Sequence, residues 1–214
     1  FDEKEARGWV EKYFGPISKG SDIVRPNPKE PKLDKEIRTT VEDTVPLQRR
    51  YMVWHSVPAY AADEPALDML GFILSSGRTS RLQSNLLYGK ELVSQIFGGN
   101  GANEAGGTFQ ITATARPGKE VNLEIDRIKK ESPTAEEMSR ALNSIESQSI
   151  YSLQTTLGKA GQLTSYAGFI GKPDYFQPDL DRYRKVTAAD VSRVANEYLG
   201  PNRLVMTYVP RTGE

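Results

Sequence analysis

Few side chains in this 214-residue chain can do chemistry, and their spacing limits what that chemistry is. One histidine, His55, stands in a run that alternates like a strand, with Tyr51, Val53 and Val57 on the same face. A zinc site built on two histidines therefore lacks its second ligand here. The chain has no cysteine, which removes disulfides, thiol nucleophiles, iron–sulfur clusters and thiolate metal sites. No G-x-S-x-G elbow is present, so His55 reads as a packed or hydrogen-bonded residue near a strand end, not a catalytic base. The glycines at 98, 99, 101, 106 and 107 lack G-K-[ST] and lie between two strand patterns instead of opening a helix. They read as a hairpin loop, not a phosphate cradle. The acidic pairs Asp63-Glu64 and Glu136-Glu137 sit where helical patterns begin and complement the helix dipole. Tyr166, Phe169, Tyr175 and Phe176 have no basic stripe beside them, so they read as core and loop, not as a base-stacking platform. These residues alone give no self-contained catalytic site and no metal site.

The elements that carry them follow from periodicity. Asp2 with Glu5 three residues on suggests a capped helix, in which Ala6, Trp9, Val10, Tyr13 and Phe14 recur at helical spacing until Gly15-Pro16. Residues 19–33, punctuated by Gly20, Pro26, Pro28 and Pro31, read as a linker. Strands are expected at 36–42 and 49–57, a helix at 62–75, and a second helix from Thr79 or Ser80 to Lys90. Two more strands follow at 92–97 and 108–115. Helices then occupy some eighty residues, two of them opened by the capping boxes Thr134-x-x-Glu137 and Thr187-x-x-Asp190. A final strand at 204–209 closes the chain. The order predicts an α+β fold, a mostly antiparallel sheet with helices packed on one face. Residues 34–214 are expected to form that domain, with 1–18 as the last helix of a preceding one.

Charge narrows the partners. Lys plus Arg and Asp plus Glu number 28 each, so there is no electrostatic footprint for nucleic acid or anionic lipid. No apolar run reaches the roughly 20 residues of a membrane span.

Taken in order, the motifs resemble the second, inactive domain of the pitrilysin and mitochondrial-processing-peptidase family, the inverzincins. Val10-Glu11-Lys12-Tyr13-Phe14-Gly15 is similar to the helix that ends the family's preceding domain. Val45-Pro46-Leu47-Gln48-Arg49, with Trp54 and Pro58, resembles the opening strand. Asp63, Ala66-Leu67, Leu70 and Ile73-Leu74 lead into Gly77-Arg78-Thr79-Ser80-Arg81-Leu82, which looks like the family's G-x-x-S-R-L turn. Leu87-Tyr88-x-Lys90, Gly107-Thr108-Phe109-x-Ile111, Arg116-Pro117-Gly118, and Pro133-Thr134 through Asn143 continue the match, and Val186-Thr187 through Val191, Asn202-Arg203 and Val209-Pro210 end it.

The resemblance implies a two-half metallopeptidase whose first half binds zinc through H-x-x-E-H and a downstream glutamate. Zinc is thus expected in a catalytic half and not in this chain. The present half is expected to supply chamber wall and contacts to a peptide substrate, with Ser80 and Arg81 as candidate contacts. Many members donate an arginine and, seven residues later, a tyrosine to the substrate near the metal; those positions fall on Leu87 and Ser94 here. A homologous partner subunit carrying the pair is one way to restore it. A non-enzymatic structural or partner subunit of the same fold is the alternative role. The stretch 117–133 is also shorter than the family pattern by roughly two helical turns.

Overall fold

The computed structural model of the chain describes residues 1–22, 24, 33–120 and 129–211. Most of the expected linker and the middle of the shortened 117–133 stretch lie outside the described residues.

Helix α1 (Glu3–Phe14) is capped by Asp2, whose carboxylate accepts the Glu5 amide at 2.9 Å. It has no buried residue, and Trp9, Val10, Tyr13 and Phe14 are exposed. Strands β1 (Ile37–Asp43) and β2 (Arg49–Ser56) come next, then α2 (Glu64–Ser75). Helix α2 buries Leu67, Leu70, Ile73 and Leu74, as its spacing predicts. The expected second helix forms as α3 (Gln83–Gly89), but with π-type turns, the Lys90 amide reaching back to the Asn85 carbonyl at 2.7 Å. Neither proposed cap is used in the expected way: the Ser80 hydroxyl instead donates to the Gly77 carbonyl at 2.7 Å.

Strands β3 (Val93–Ala102) and β4 (Gly107–Ala115) form a hairpin. This corrects the reading of residues 98–107 as a loop, because Gly98, Gly99 and Gly101 pair in register with Ile111, Gln110 and Thr108. The reason is close packing. A Cβ added at Gly71 of α2 would lie 2.8 Å from the Gly99 Cα, and one at Gly98 would lie 3.2 Å from Ile111 Cγ1. Glycine lets the helix backbone rest on the strand backbone.

The helices that follow include α4 (Ala135–Ser152), α5 (Thr156–Ile170), α6 (Phe176–Arg184) and α7 (Ala188–Tyr198). Both expected capping boxes are present, at Thr134/Glu137 and Thr187/Asp190. Strand β5 (Leu204–Pro210) inserts between β1 and β2, giving the order β1-β5-β2-β4-β3. It runs parallel to β1 and antiparallel to β2, so the sheet is mixed but mostly antiparallel.

Met52, Trp54, Ile96, Phe109, Ile111, Ala113 and Val205 turn inward and meet α2 and α7 through Leu67, Leu70, Leu74, Val191 and Val194. On β2 the inward set is thus Met52 and Trp54, and the Tyr51–Val53–His55 face turns outward. The Trp54 indole, buried in the core, donates to the Gly200 carbonyl at 2.8 Å and so ties the end of α7 to the sheet.

Candidate functional site

Burying one face of the sheet leaves the other to solvent, and its composition is unusual for a solvated surface. Alternation and register place Ile37, Thr39 and Val41 of β1 beside Leu204, Met206 and Tyr208 of β5. Tyr51 and Val53 of β2 lie next, then Thr112 and Gln110 of β4, then Phe97 of the edge strand β3. The face is aromatic, aliphatic and hydroxylated, with Arg49, His55 and, at the end of β1, Asp43 as its ionisable side chains besides the tyrosines among these paired positions. Tyr51 and Tyr208 pack edge to face at 5.8 Å. Phe97 is 61% exposed, so it covers little of the chain's own surface. Such a wall can hold an extended peptide through apolar contact and neutral hydrogen bonds.

The four positions singled out by the family motifs lie around α3. Ser80 is fully buried. Arg81 donates to both Glu137 carboxylate oxygens, at 2.7 and 2.8 Å, and to the carbonyls of Glu131 (2.7 Å) and Ser132 (3.1 Å). The pair drives the Glu137 carboxyl below its ordinary range, chiefly through the Arg81 hydrogen bonds. Leu87 is half-buried against the core. Ser94 is exposed, its hydroxyl donating to the Thr114 carbonyl at 3.3 Å. Arg116, part of the family match but given no role by it, donates to the Leu87 carbonyl at 3.4 Å and the Val93 carbonyl at 3.2 Å, and sits 3.6 Å from Glu91. Its motif Arg116-Pro117-Gly118 was visible, but its partners are more than twenty residues upstream.

A second cluster lies around α2. Asp68, inside the apolar α2, accepts from the Tyr183 hydroxyl at 2.6 Å and from the Asn100 amide at 3.0 Å. Asn100 in turn accepts from Ser56. One turn earlier, Glu64 accepts from the Tyr60 amide at 2.6 Å and from Arg182 at 3.2 Å, and Arg182 also binds Asp179 at 2.8 Å. Burial is the main cause raising the Asp68 and Glu64 carboxyls above their usual range. This network joins α2, α6, β2 and the β3–β4 hairpin, and so fixes the edge strand that presents Phe97. The signal in sequence was a carboxylate on the buried side of a helix, a position that needs partners.

Zinc does not fit the side chains described here. His55 is exposed on the open sheet face, and no group of three or more histidine, cysteine or acidic side chains able to hold a metal occurs among the described residues. No helix among the described residues is long and apolar enough to cross a membrane.

The chain is 31% identical over 202 residues to the zinc protease PqqE of Helicobacter pylori, covering 87% of this chain and 44% of that protein. A crystal structure of a protease from Helicobacter pylori superposes with a TM-score of 0.86 at 23% identity, covering 98% of this chain and 53% of that one. A structure of a peptidase M16 inactive domain from Pseudomonas fluorescens does so with a TM-score of 0.78 at 18% identity, covering 100% and 52%. These two likenesses show the shared fold. The chain spans about half the length of these relatives. The family model for the peptidase M16 inactive domain matches residues 1–145, two thirds of the chain, and the chain belongs to that family as its inactive domain.

Proposed function

We propose that this chain is the non-catalytic half of a zinc-dependent endopeptidase, and that its open sheet face forms part of the wall against which a peptide substrate lies. The supporting observation is the sheet itself, which buries Trp54 and Phe109 on one side and leaves Tyr51, Tyr208 and Phe97 on the other. Zinc and the water-activating group belong to the other half, the N-terminal catalytic partner; the relative PqqE is named a zinc protease. In this reading α1 is the last helix of that partner half, its exposed Trp9, Val10, Tyr13 and Phe14 covered there. Residues 34–214 are the inactive domain.

The test is peptide cleavage by the full-length parent carrying Phe97→Ser. One aromatic contact is worth about 1 kcal/mol, or about a fivefold change in binding. KM is expected to rise by that factor, with kcat, zinc content and thermal stability held. An unchanged KM refutes the wall.

A second reading concerns the pair positions. Leu87 is taken up by the core and the Ser94 hydroxyl by a backbone carbonyl, which favours a homologous partner subunit supplying an arginine and a tyrosine. Full activity of the purified parent alone, unchanged by adding the homologue, rules that out.

A further inference from the structure

Helix α5 is joined to the rest of the chain along one side only. Its single buried residue is Tyr166, which donates to Asp179 at 3.0 Å and packs against Tyr60 and Tyr175. At 3.6 residues per turn, Leu157, Ala160, Gly161, Thr164, Ala167 and Gly168 fall on the opposite side. All six are exposed, Leu157 by 83%. The one charged residue of α5, Lys159, points to the Tyr166 side by the same spacing. An outward helix face with no charge across four turns is the reverse of what water selects.

The glycines sharpen the contrast. Gly158 has an internal reason, since a Cβ there would sit 1.8 Å from the Ser152 carbonyl oxygen. Gly161 and Gly168 have none: nothing lies within 4 Å of a Cβ at either. Mid-helix glycine weakens a helix, and a helix of this length is marginal on its own. Glycine also allows a neighbouring backbone to come close. The exposed Ile150 and Tyr151 at the end of α4 extend the apolar surface around the α4–α5 turn.

We propose that the outward face of α5 is a seam of the full-length protein, where a helix of the other half packs against Gly161, Thr164 and Gly168. Length points to the occupant: this chain accounts for 44% of PqqE and for 53% and 52% of two structural relatives. A body about as large again is thus joined to this fold in each, at high effective concentration. The proposal rests on reading the chain as one half of such a protein.

Thr164→Cys introduces the only thiol in a chain without cysteine, and Glu136→Cys at the exposed start of α4 serves as the reference. Maleimide modification is followed by peptide mass mapping in the 214-residue chain and in the full-length parent. The Thr164→Cys thiol is expected to react at least tenfold more slowly in the parent than in the chain, with the Glu136→Cys thiol alike in both. Gly161→Leu should raise the Tm of the chain, where the space is open, and lower that of the parent, where it is filled. Equal Thr164→Cys rates in chain and parent, or a Gly161→Leu shift of the same sign in both, overturn the seam. Slowing that grows with concentration in the chain alone assigns the face to a second copy and also overturns it. Zinc content and peptide cleavage of the same parent samples report separately on the two-half reading.

Discussion

If Arg81 is a structural clamp, removing it costs folding stability; if it touches substrate, removing it costs KM. Its geometry points to the first. The guanidinium makes two charge-assisted bonds to Glu137 and two more to the carbonyls of Glu131 and Ser132, so it pins the start of α4 to the turn before α3. The side chains are 17% and 15% exposed. That places the pair between a surface bridge, worth up to about 1 kcal/mol, and a buried one, whose breaking costs about 3–5 kcal/mol. We expect Arg81→Met to destabilise the chain by about 3 kcal/mol, because it strands the carboxylate and two carbonyls together. Glu137→Gln should cost about 1.5 kcal/mol, and the coupling energy from the double variant should be about 2 kcal/mol. The assay is urea unfolding of the 214-residue chain at neutral pH, followed by circular dichroism. The folded pKa of Glu137 is lowered, so its contribution is full above the ordinary glutamate range and drains away as pH falls through the depressed value. The gap between wild type and Glu137→Gln should therefore close in acid. A coupling energy below about 0.5 kcal/mol, or a gap that widens in acid, refutes the clamp.

Three further outcomes are expected. Gly71→Ala should destabilise by about 2 kcal/mol, measured by the same unfolding, since its Cβ would lie 2.8 Å from the Gly99 Cα and force α2 off β3. Glu91→Gly should stabilise by about 1 kcal/mol and raise the Tm, because Glu91 holds φ at 50° and its 3.6 Å contact to Arg116 is exposed. Tyr183→Phe removes a donor from Asp68, whose folded pKa is already raised; the cost, about 2 kcal/mol, should grow as pH rises through that pKa and shrink as the carboxyl takes up its proton.

The features legible in the sequence were those whose causes are local. The capping boxes at Thr134/Glu137 and Thr187/Asp190 complete themselves within four residues, and the α2 stripe needs only its own period. What was not legible depended on partners distant in the chain. Gly98 and Gly99 looked like a loop because their reason, Gly71, lies on another element. Arg81 stood out as a motif residue, but its main partner Glu137 is 56 residues away. The place of β5 between β1 and β2 likewise leaves no mark on either strand's own pattern.

Several departures from local rules fall in one segment, although the other left-handed non-glycine residue, Tyr60, lies outside it. Residues 83–102 contain the π-type turns of α3, the left-handed Glu91, the register shift between Val93 and Gln95 and the glycines of β3. The departed family positions Leu87 and Ser94 lie in the same stretch, and Arg116 bonds the carbonyls at 87 and 93 across it. Strain of this kind survives where surrounding structure over-determines it, and it gathers where function sets the geometry. Here it is held by the Gly71 contact on one side and by the Asp68–Asn100–Ser56 hydrogen bonds on the other. The segment ends in the edge strand that carries Phe97 onto the open face. A change that relaxes it, such as Glu91→Gly, should thus stabilise the chain while altering how that wall is presented.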